Sequence, residues 1–313
     1  VHMEPILTLQ TPRSVVYRVD YPDLWRIYKT ATAGFWTAAD IDKLEVDVGQ
    51  WQGALNTDER TVLSTILALS ATAARNVFGD LRLRPCAEVL IVEARVFYRF
   101  QVVMANIHSE TYSMLLLALV GQDGDRDGVR SNVETMPTVR AKAEWCSQWL
   151  ANEGESTFGT RLVAVAVMEA IFLSSSFAVM FWMRSRGLMP ALTKSYELIA
   201  RDAGLRTSFA FLLYRHLHVR PSSYVVRRMV EDAVWLEVNF VEAVIPHALK
   251  GMDSSLARDY VQYVGDYVLE NFGLGRWFRV ENPVSGVLAS VLLSSADAQR
   301  GSWSSACRPR ASR

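Results

Sequence analysis

The sequence predicts an all-α protein. Of its 313 residues, 50% are hydrophobic, which is enough to form one large helical core. Long stretches with apolar periodicity alternate with clusters of proline, glycine and polar residues, and strand signals are few. Helices with apolar stripes bury them by packing against one another. We therefore predict a helical bundle.

The predicted helices follow from this periodicity, taken in chain order. Thr37 and Asp40 resemble a capping box, and Thr57 is expected to cap the second long helix, with acidic residues in its first turn. The predicted spans are Pro22–Ala33, Asp58–Asp80, Ala87–Val120, Thr138–Asn152, Thr157–Arg186, Pro190–Leu217, Ser222–Ile245 and Ser254–Phe272.

One stretch, Leu162–Met183, is apolar enough to be considered as a membrane span, for which ~20 residues suffice. Glu169 and the serines at 174–176 lie inside it. Helices that are apolar all round also occur in the cores of large proteins. We interpret the stretch as a buried central helix of the bundle and expect no membrane association.

Charge and cysteine content narrow the function classes. Lys plus Arg and Asp plus Glu are balanced at 33 each, so no global field attracts nucleic acid or an anionic membrane. The three cysteines, Cys86, Cys146 and Cys307, form no C-x-x-C motif or disulfide framework. With no visible signal peptide, we expect a cytoplasmic protein whose partners are proteins.

A residue pair on the third predicted helix departs from a metal-binding pattern. Ferritin-like carboxylate proteins supply one carboxylate from each of two helices and a Glu-x-x-His pair from each of two others. Residues three apart share a helix face, so both can reach one metal pair. Here His108 follows Ala105, and the same spacing later in the chain gives Ala203 and Arg206.

Several longer motifs occur in a fixed order from about residue 4 to residue 283. They are Glu4-Pro5-Ile6-Leu7, Tyr21-Pro22-Asp23-Leu24-Trp25, Phe35-Trp36-Thr37, Glu93-Ala94-Arg95, Phe100-Gln101, His108-Ser109-Glu110-Thr111-Tyr112, Glu169-Ala170-Ile171-Phe172, Gly187-Leu188-Met189-Pro190 and Ser195-Tyr196-Glu197-Leu198-Ile199-Ala200-Arg201-Asp202. In order and spacing they resemble the small, radical-bearing subunit of class I ribonucleotide reductase.

The resemblance implies a ferritin-like helical bundle that dimerises. In intact members of the family, a di-iron or di-manganese centre and oxygen generate a tyrosyl radical, which passes to a large subunit that reduces ribonucleotides. The implied organisation is an N-terminal extended segment at 1–20, a ferritin-like domain at 21–283 and a variable tail at 284–313.

Most of the metal ligands that the resemblance implies are replaced. Three of the six positions hold alanine, which can ligate nothing, one holds arginine, and the two retained ligands serve different irons in the family. We therefore expect no di-metal site and no other cofactor. The six positions are Ala74, Ala105, His108, Glu169, Ala203 and Arg206.

The radical positions of the family are retained. Tyr112 falls on the radical tyrosine, and Trp36, Asp202 and His108 fall on the relay that leads away from the metal. Tyr112 and Trp36 are also compatible with plain packing roles, as a core tyrosine and a large apolar residue. The resemblance alone does not decide between a working relay and a vestige.

A competing motif occupies 123–134, where Asp123, Asp125, Asp127 and Glu134 have the spacing of a calcium-binding EF-hand loop. Arg130 stands where an apolar residue normally joins the paired loop, and no second hand is visible. We interpret the segment as a surface loop between helices.

Three hypotheses follow. The leading one is a pseudoenzyme that stabilises or regulates an active small subunit in a mixed dimer. The second is a small subunit that holds a metal-free radical on Tyr112, and the third is a structural subunit of an unrelated assembly. The large reductase subunit is a further candidate partner, although the family's acidic, aromatic tail is replaced by a basic one ending Arg308-Pro309-Arg310-Ala311-Ser312-Arg313.

Two structural predictions accompany the leading hypothesis. Arg206 should pair with Glu169, or otherwise with Asp202, because an unpaired carboxylate in so apolar a helix carries a large desolvation penalty. The dimer interface should include the helix at Ala87–Val120.

Overall fold

The structure is a computed structural model that describes residues 4–7, 18–75, 87–121, 125–150, 157–245, 249, 252 and 254–283. These residues form helices and loops, without a strand. Short 3-10 helices lie at Pro5–Leu7 and Ala38–Asp40. The α-helices are α1 (Pro22–Ala33), α2 (Leu44–Gly53), α3 (Thr57–Arg75), α4 (Val92–Val120), α5 (Asp125–Thr135), α6 (Pro137–Leu150), α7 (Phe158–Ile171), α8 (Ser174–Ser185), α9 (Pro190–Arg215), α10 (Ser223–Val244) and α11 (Ser254–Asn271).

The bundle is organised around α7 and α9, which pack against each other. Helix α9 also contacts α1, α2, α4 and α8, while α10 and α11 pack against each other and against α7. Every residue of α7 except Thr160 is buried. This arrangement confirms the all-α, ferritin-like prediction.

The apolar stretch considered as a membrane span lies inside the protein. Phe158–Ser185 has a mean hydropathy of 2.1 and 94% of its most apolar window is buried, which confirms the buried-helix interpretation. Val92–Val120 is also long and apolar enough to cross a membrane by length and composition, with a mean hydropathy of 1.2, but only 44% of its window is buried. Helix α4 therefore leaves apolar side chains uncovered.

Two helix starts illustrate local capping. Thr37 and Asp40 form the predicted capping box, in which Asp40 accepts the Thr37 backbone N–H at 2.7 Å. The prediction of Thr57 as the cap of α3 is wrong by one residue. Asn56 occupies that position, since its side chain accepts the Glu59 backbone N–H at 2.9 Å and Glu59 accepts that of Asn56 at 2.9 Å.

Two helices were not predicted. Helix α2 is short and its apolar residues do not follow a helical period, whereas α5 is polar overall and carries its few apolar residues on one narrow face, where Val133 is buried. The interpretation of 123–134 as a surface loop is wrong for most of the segment, because Asp125–Thr135 is an α-helix in which Glu134 pairs with Arg130 at 3.4 Å. These helical residues do not form the calcium-binding loop of the EF-hand motif either. Asp123 and the 284–313 tail lie outside the described residues.

The predicted single helix at Thr157–Arg186 is wrong. It breaks at Phe172 and Leu173 into α7 and α8. Glu237 of α10 accepts hydrogen bonds from the Ser175 backbone N–H, at 3.3 Å, and from its hydroxyl. Lys142 of α6 pairs with Glu237 at 2.5 Å and donates to the Phe172 carbonyl at 3.5 Å. Side chains from two other helices therefore form hydrogen bonds with the Ser175 N–H and the Phe172 carbonyl at the break.

Candidate functional site

Four helices carry the six positions that the resemblance predicts as metal-ligand positions. Ala74 lies on α3, Ala105 and His108 lie on α4, Glu169 lies on α7, and Ala203 and Arg206 lie on α9. His108, Glu169 and Ala203 are buried, and Ala105 and Arg206 are partly buried. The side chain of Ala74 is outside the described part of the structure. The i, i+3 spacing places each α4 and α9 pair on one helix face.

Arg206 forms the ion pair predicted for it. Its Nε lies 2.9 Å from Oε2 of Glu169, with the two side chains only 11% and 4% exposed. Its Nη1 lies 3.5 Å from the Gln101 side-chain oxygen on α4. A guanidinium therefore supplies positive charge to the buried carboxylate at the centre of the bundle, and does so through directional hydrogen bonds.

Trp36, Asp202 and His108 form a second connected group. One carboxylate oxygen of Asp202, Oδ2, accepts from the Trp36 indole N–H at 2.9 Å and lies 2.9 Å from Nε2 of His108. The Trp36 and His108 rings are stacked, with centroids 5.6 Å apart and planes 23° apart. The structure thus brings together all three predicted relay residues from the Trp36 loop, α4 and α9.

The ionisation of Asp202 reflects this neighbourhood. Burial by itself raises the pKa of Asp202, but the hydrogen bond and charge of His108, the bond from Trp36 and the positive charge of Arg206 outweigh burial and hold the pKa below its usual value. Asp202 therefore stays ionised near neutral pH. The Asp202 carboxylate therefore interacts electrostatically with Arg206 as well as with Trp36 and His108.

Arg201 fixes the loop that presents Trp36. Its Nη2 donates to the Gly34 carbonyl at 2.5 Å and lies 3.4 Å from Oδ1 of Asp202. A Cβ added at Gly34 would lie 3.1 Å from the Arg201 guanidinium carbon, so a larger residue at position 34 would push against this contact. The loop is thereby held to the same helix turn that carries Asp202.

Tyr112 is buried on α4, with 4% of its surface exposed. Its ring centroid lies 5.7 Å from that of Tyr196 on α9. The Tyr196 hydroxyl lies 2.9 Å from that of Ser70 on α3, and burial raises the pKa of Tyr196 well above its usual value. Sequence reasoning missed the contacts of Tyr196 with Tyr112 and with Ser70, because no local motif marks contacts between separate helices.

The donor set does not fit a di-metal centre. A divalent pair with oxygen and imidazole ligands needs several such donors and an ordered second shell. Three of the six positions are alanine, and the fourth replaced position presents a cation already paired with Glu169. Within the described ranges, no three His, Cys, Asp or Glu side chains are grouped to hold a metal ion.

Comparison with known proteins identifies relatives of this chain. Residues 13–283 match the family described as ribonucleotide reductase, small chain. The chain is 43% identical over 280 residues to the ribonucleoside-diphosphate reductase small chain of Neurospora crassa, covering 90% of this chain and 68% of that one. It is 42% identical over 283 residues to subunit M2 of the human enzyme, covering 90% of this chain and 72% of that one.

Solved structures agree with these matches. The ribonucleotide reductase Rnr4 homodimer from Saccharomyces cerevisiae superposes with a TM-score of 0.84 at 30% identity, covering 94% of this chain and 92% of that one. The ribonucleotide reductase R2 subunit from Clostridium botulinum has a TM-score of 0.76 at 18% identity, which supports the fold alone.

Proposed function

The chain belongs to the ribonucleotide reductase small-chain family, and on that premise we propose that it acts in deoxyribonucleotide synthesis as a non-catalytic partner of an active small subunit. In this proposal the chain assembles no di-iron or di-manganese centre of its own. It stabilises or regulates the active subunit by forming a mixed dimer with it.

The observation that carries the proposal is the Arg206–Glu169 pair. A guanidinium 2.9 Å from a ligand carboxylate occupies its acceptor oxygen and repels a divalent cation at the same place. The alanines at 105 and 203 add no donor. In this proposal the Arg206 guanidinium supplies the positive charge that a metal pair supplies to the ligand carboxylates in the family.

The test of metal assembly is elemental analysis together with electron paramagnetic resonance on protein offered iron or manganese and oxygen. We expect substoichiometric metal and no tyrosyl signal. The matched control is a variant with Ala105→Glu, Ala203→Glu and Arg206→His, which restores both Glu-x-x-His pairs and should gain bound metal. Stoichiometric metal or a tyrosyl signal in the unaltered chain would refute the proposal.

The partnership is supported by the uncovered face of α4. Val102, Val103 and Leu117 are 41%, 48% and 41% exposed. Their helical spacing places these three apolar side chains on one side of α4, and exposed apolar surface of this kind is typical of protein–protein contacts. The related Rnr4 structure is a homodimer. We therefore place the dimer contact on α4, and an obligate interface should bury roughly 2,000 Å² or more.

The test of partnership is native mass spectrometry of the chain mixed with an active small subunit of the family. A one-to-one mixed dimer, with increased thermal stability of the active subunit, is expected. A chain that stays monomeric at micromolar concentration, or that forms only dimers with itself, would contradict the mixed-dimer role. Addition of the large subunit to the same mixture tests whether the mixed dimer engages it.

A second candidate function is storage of a metal-free radical on Tyr112. The intact Trp36–Asp202–His108 group and the burial of Tyr112 favour it. The same resonance experiment separates the two functions, because this one requires a tyrosyl signal in metal-free protein and loses that signal in Tyr112→Phe.

A further inference from the structure

A groove between α6 and α10 lies apart from the site described above. We call it the α6–α10 groove and define it by its lining residues. It is a shallow depression of about 290 Å³ that is largely open to solvent. The lining residues are Ala141, Glu144, Trp145, Gln148, Asp232, Trp235 and Leu236.

The groove contains an unpaired buried donor. Trp145 is 5% exposed, and its indole N–H is buried with no hydrogen-bond acceptor among the described residues. A buried N–H without an acceptor is destabilising, so a bound acceptor such as a peptide carbonyl would be favourable here. Trp149, one turn further along α6, has an indole N–H in the same condition.

The groove also has the surface chemistry of a cation site. Trp235 is 64% exposed and offers an aromatic face of the kind on which guanidinium groups stack. Two carboxylates, Glu144 and Asp232, line the groove, and none of its lining side chains is basic. Asp232 also forms an exposed i, i+4 pair with Arg228 at 3.7 Å, a contact that an incoming arginine could share. Arginine fits this combination of aromatic face and carboxylates better than any other side chain.

From these features we propose that the arginine-rich segment 296–313 of this same chain binds in the α6–α10 groove. The segment contains Arg300, Arg308, Arg310 and Arg313 with one acidic residue, Asp297, so its charge is complementary to that of the groove. It also contributes Trp303 as an apolar anchor. Its arginines bind over Trp235 and to Glu144 and Asp232, and a backbone carbonyl accepts from Trp145.

The position of the preceding chain makes this contact accessible. The backbone N–H groups of Trp277, Phe278 and Arg279 are held by Asp266 at 2.7 to 2.8 Å. The Arg227 guanidinium of α10 lies 4.7 Å from the Trp277 ring, so the described chain ends alongside α10. The intervening residues 284–295 can span roughly 40 Å at about 3.3 Å per residue.

Tethering compensates for contacts that are weak one by one. Exposed arginine–carboxylate and arginine–tryptophan contacts add little individually. A covalently attached segment nevertheless acts at a high effective concentration, so several weak contacts suffice to occupy the groove. Occupation would cover the groove with a basic segment of this same chain.

Disulfide trapping tests the proposal in the full-length chain, because the segment carries Cys307. Gln148→Cys puts a thiol at the groove, and Ser147→Cys puts one at an exposed neighbouring position on another face of α6. Under mild oxidation we expect the Gln148→Cys variant to form an intramolecular bond with Cys307 at least about tenfold faster than the Ser147→Cys variant. Peptide mapping identifies the cysteines joined, and Cys307→Ser is the blank.

Two perturbations make the test specific. About 0.5 M salt should abolish most of the rate difference, since it screens exposed charge pairs. The double substitution Glu144→Gln and Asp232→Asn should do the same, with helical circular dichroism confirming an intact fold. Equal rates for the two cysteine variants, the lack of any Cys307 disulfide, or disulfides formed only between separate chains would overturn the proposal.

Discussion

Two of the buried ion pairs in the described part of the bundle, Arg206–Glu169 and Lys142–Glu237, differ in what surrounds them. Arg206 and Glu169 lie among the family's ligand positions, and 11% of the arginine side chain stays exposed. Lys142 and Glu237 lie at the break between α7 and α8, and their side chains are 1% and 0% exposed. The first pair compensates a buried carboxylate, whereas the second also contacts backbone groups at a helix break.

Their partners show why the second pair is the more heavily constrained. Glu237 also accepts from Ser175, and the Lys142 ammonium lies 3.9 Å from the centre of the Phe240 ring. Burial lowers the pKa of Lys142, and the charge of Glu237 opposes that shift. The comparison shows that a fully buried ion pair makes additional contacts to neighbouring groups. Such contacts offset the desolvation cost of burying the two charges.

The largest expected effect therefore comes from Lys142→Met. Leaving Glu237 unpaired at the helix break should lower the free energy of unfolding by roughly 3 to 5 kcal/mol. The measurement is chemical denaturation followed by circular dichroism. A second substitution, Glu237→Leu, should recover only part of the loss, because it removes the unpaired charge but also the acceptor for Ser175. An effect of Lys142→Met below that of an exposed lysine substitution such as Lys194→Met would contradict the comparison.

A smaller but still large effect is expected at the centre of the bundle. Arg206→Met or Glu169→Gln alone should destabilise by about 2 to 4 kcal/mol, less than at Lys142 because Arg206 retains access to water. In a double-mutant cycle the two changes should couple by about 1 to 3 kcal/mol. Strictly additive effects on thermal unfolding would show that the pair contributes nothing.

The third expected effect is a pH dependence at Asp202. Its pKa is lowered in the folded state, so the unfolded state binds protons first as pH falls, and stability from Asp202 is present above about pH 4 and lost below it. Denaturation of the wild type and of Asp202→Asn across pH 2 to 7 is the measurement. We expect a difference of about 1 to 3 kcal/mol at neutral pH that shrinks in acid. A pH-independent difference would contradict this assignment.

The smallest effect on stability, and a clear one on association, is expected on α4. Val103→Lys changes a side chain that is 48% exposed, so the monomer should lose less than about 0.5 kcal/mol. Dimer formation should weaken by at least about tenfold if α4 is the interface. Analytical ultracentrifugation measures it, with Val219→Lys, at a position 54% exposed, as the matched control. Equal weakening by both substitutions would remove α4 from the interface.

Much of the fold was predictable because its signals are local. The span Pro22–Ala33 was predicted with its observed bounds, and the capping box at Thr37 and Asp40 is present as expected. Four residues in sequence suffice to define such a cap. Helix α5 was missed because its apolar face is limited to a few residues, Val129 and Val133 among them, and these do not stand out in a segment that is otherwise polar.

The candidate site was predictable only in part. The replaced ligands at Ala105, Ala203 and Arg206 are visible in the sequence, and the Arg206–Glu169 pair followed from the need to compensate a buried carboxylate. The shared use of one Asp202 oxygen by Trp36 and His108 did not follow from spacing. Neither did the approach of Tyr196 to Tyr112.

The sequence by itself determined that this protein is a helical bundle with a depleted donor set, because periodicity and residue identity are local properties. Only the tertiary structure decided that the most apolar helix breaks at Phe172. The groups that stabilise the break, Lys142 and Glu237, come from α6 and α10. A hydrophobic pattern indicates which side of a helix is buried. It does not indicate which distant polar side chain will form hydrogen bonds with the backbone N–H and C=O groups that a helix break leaves unpaired.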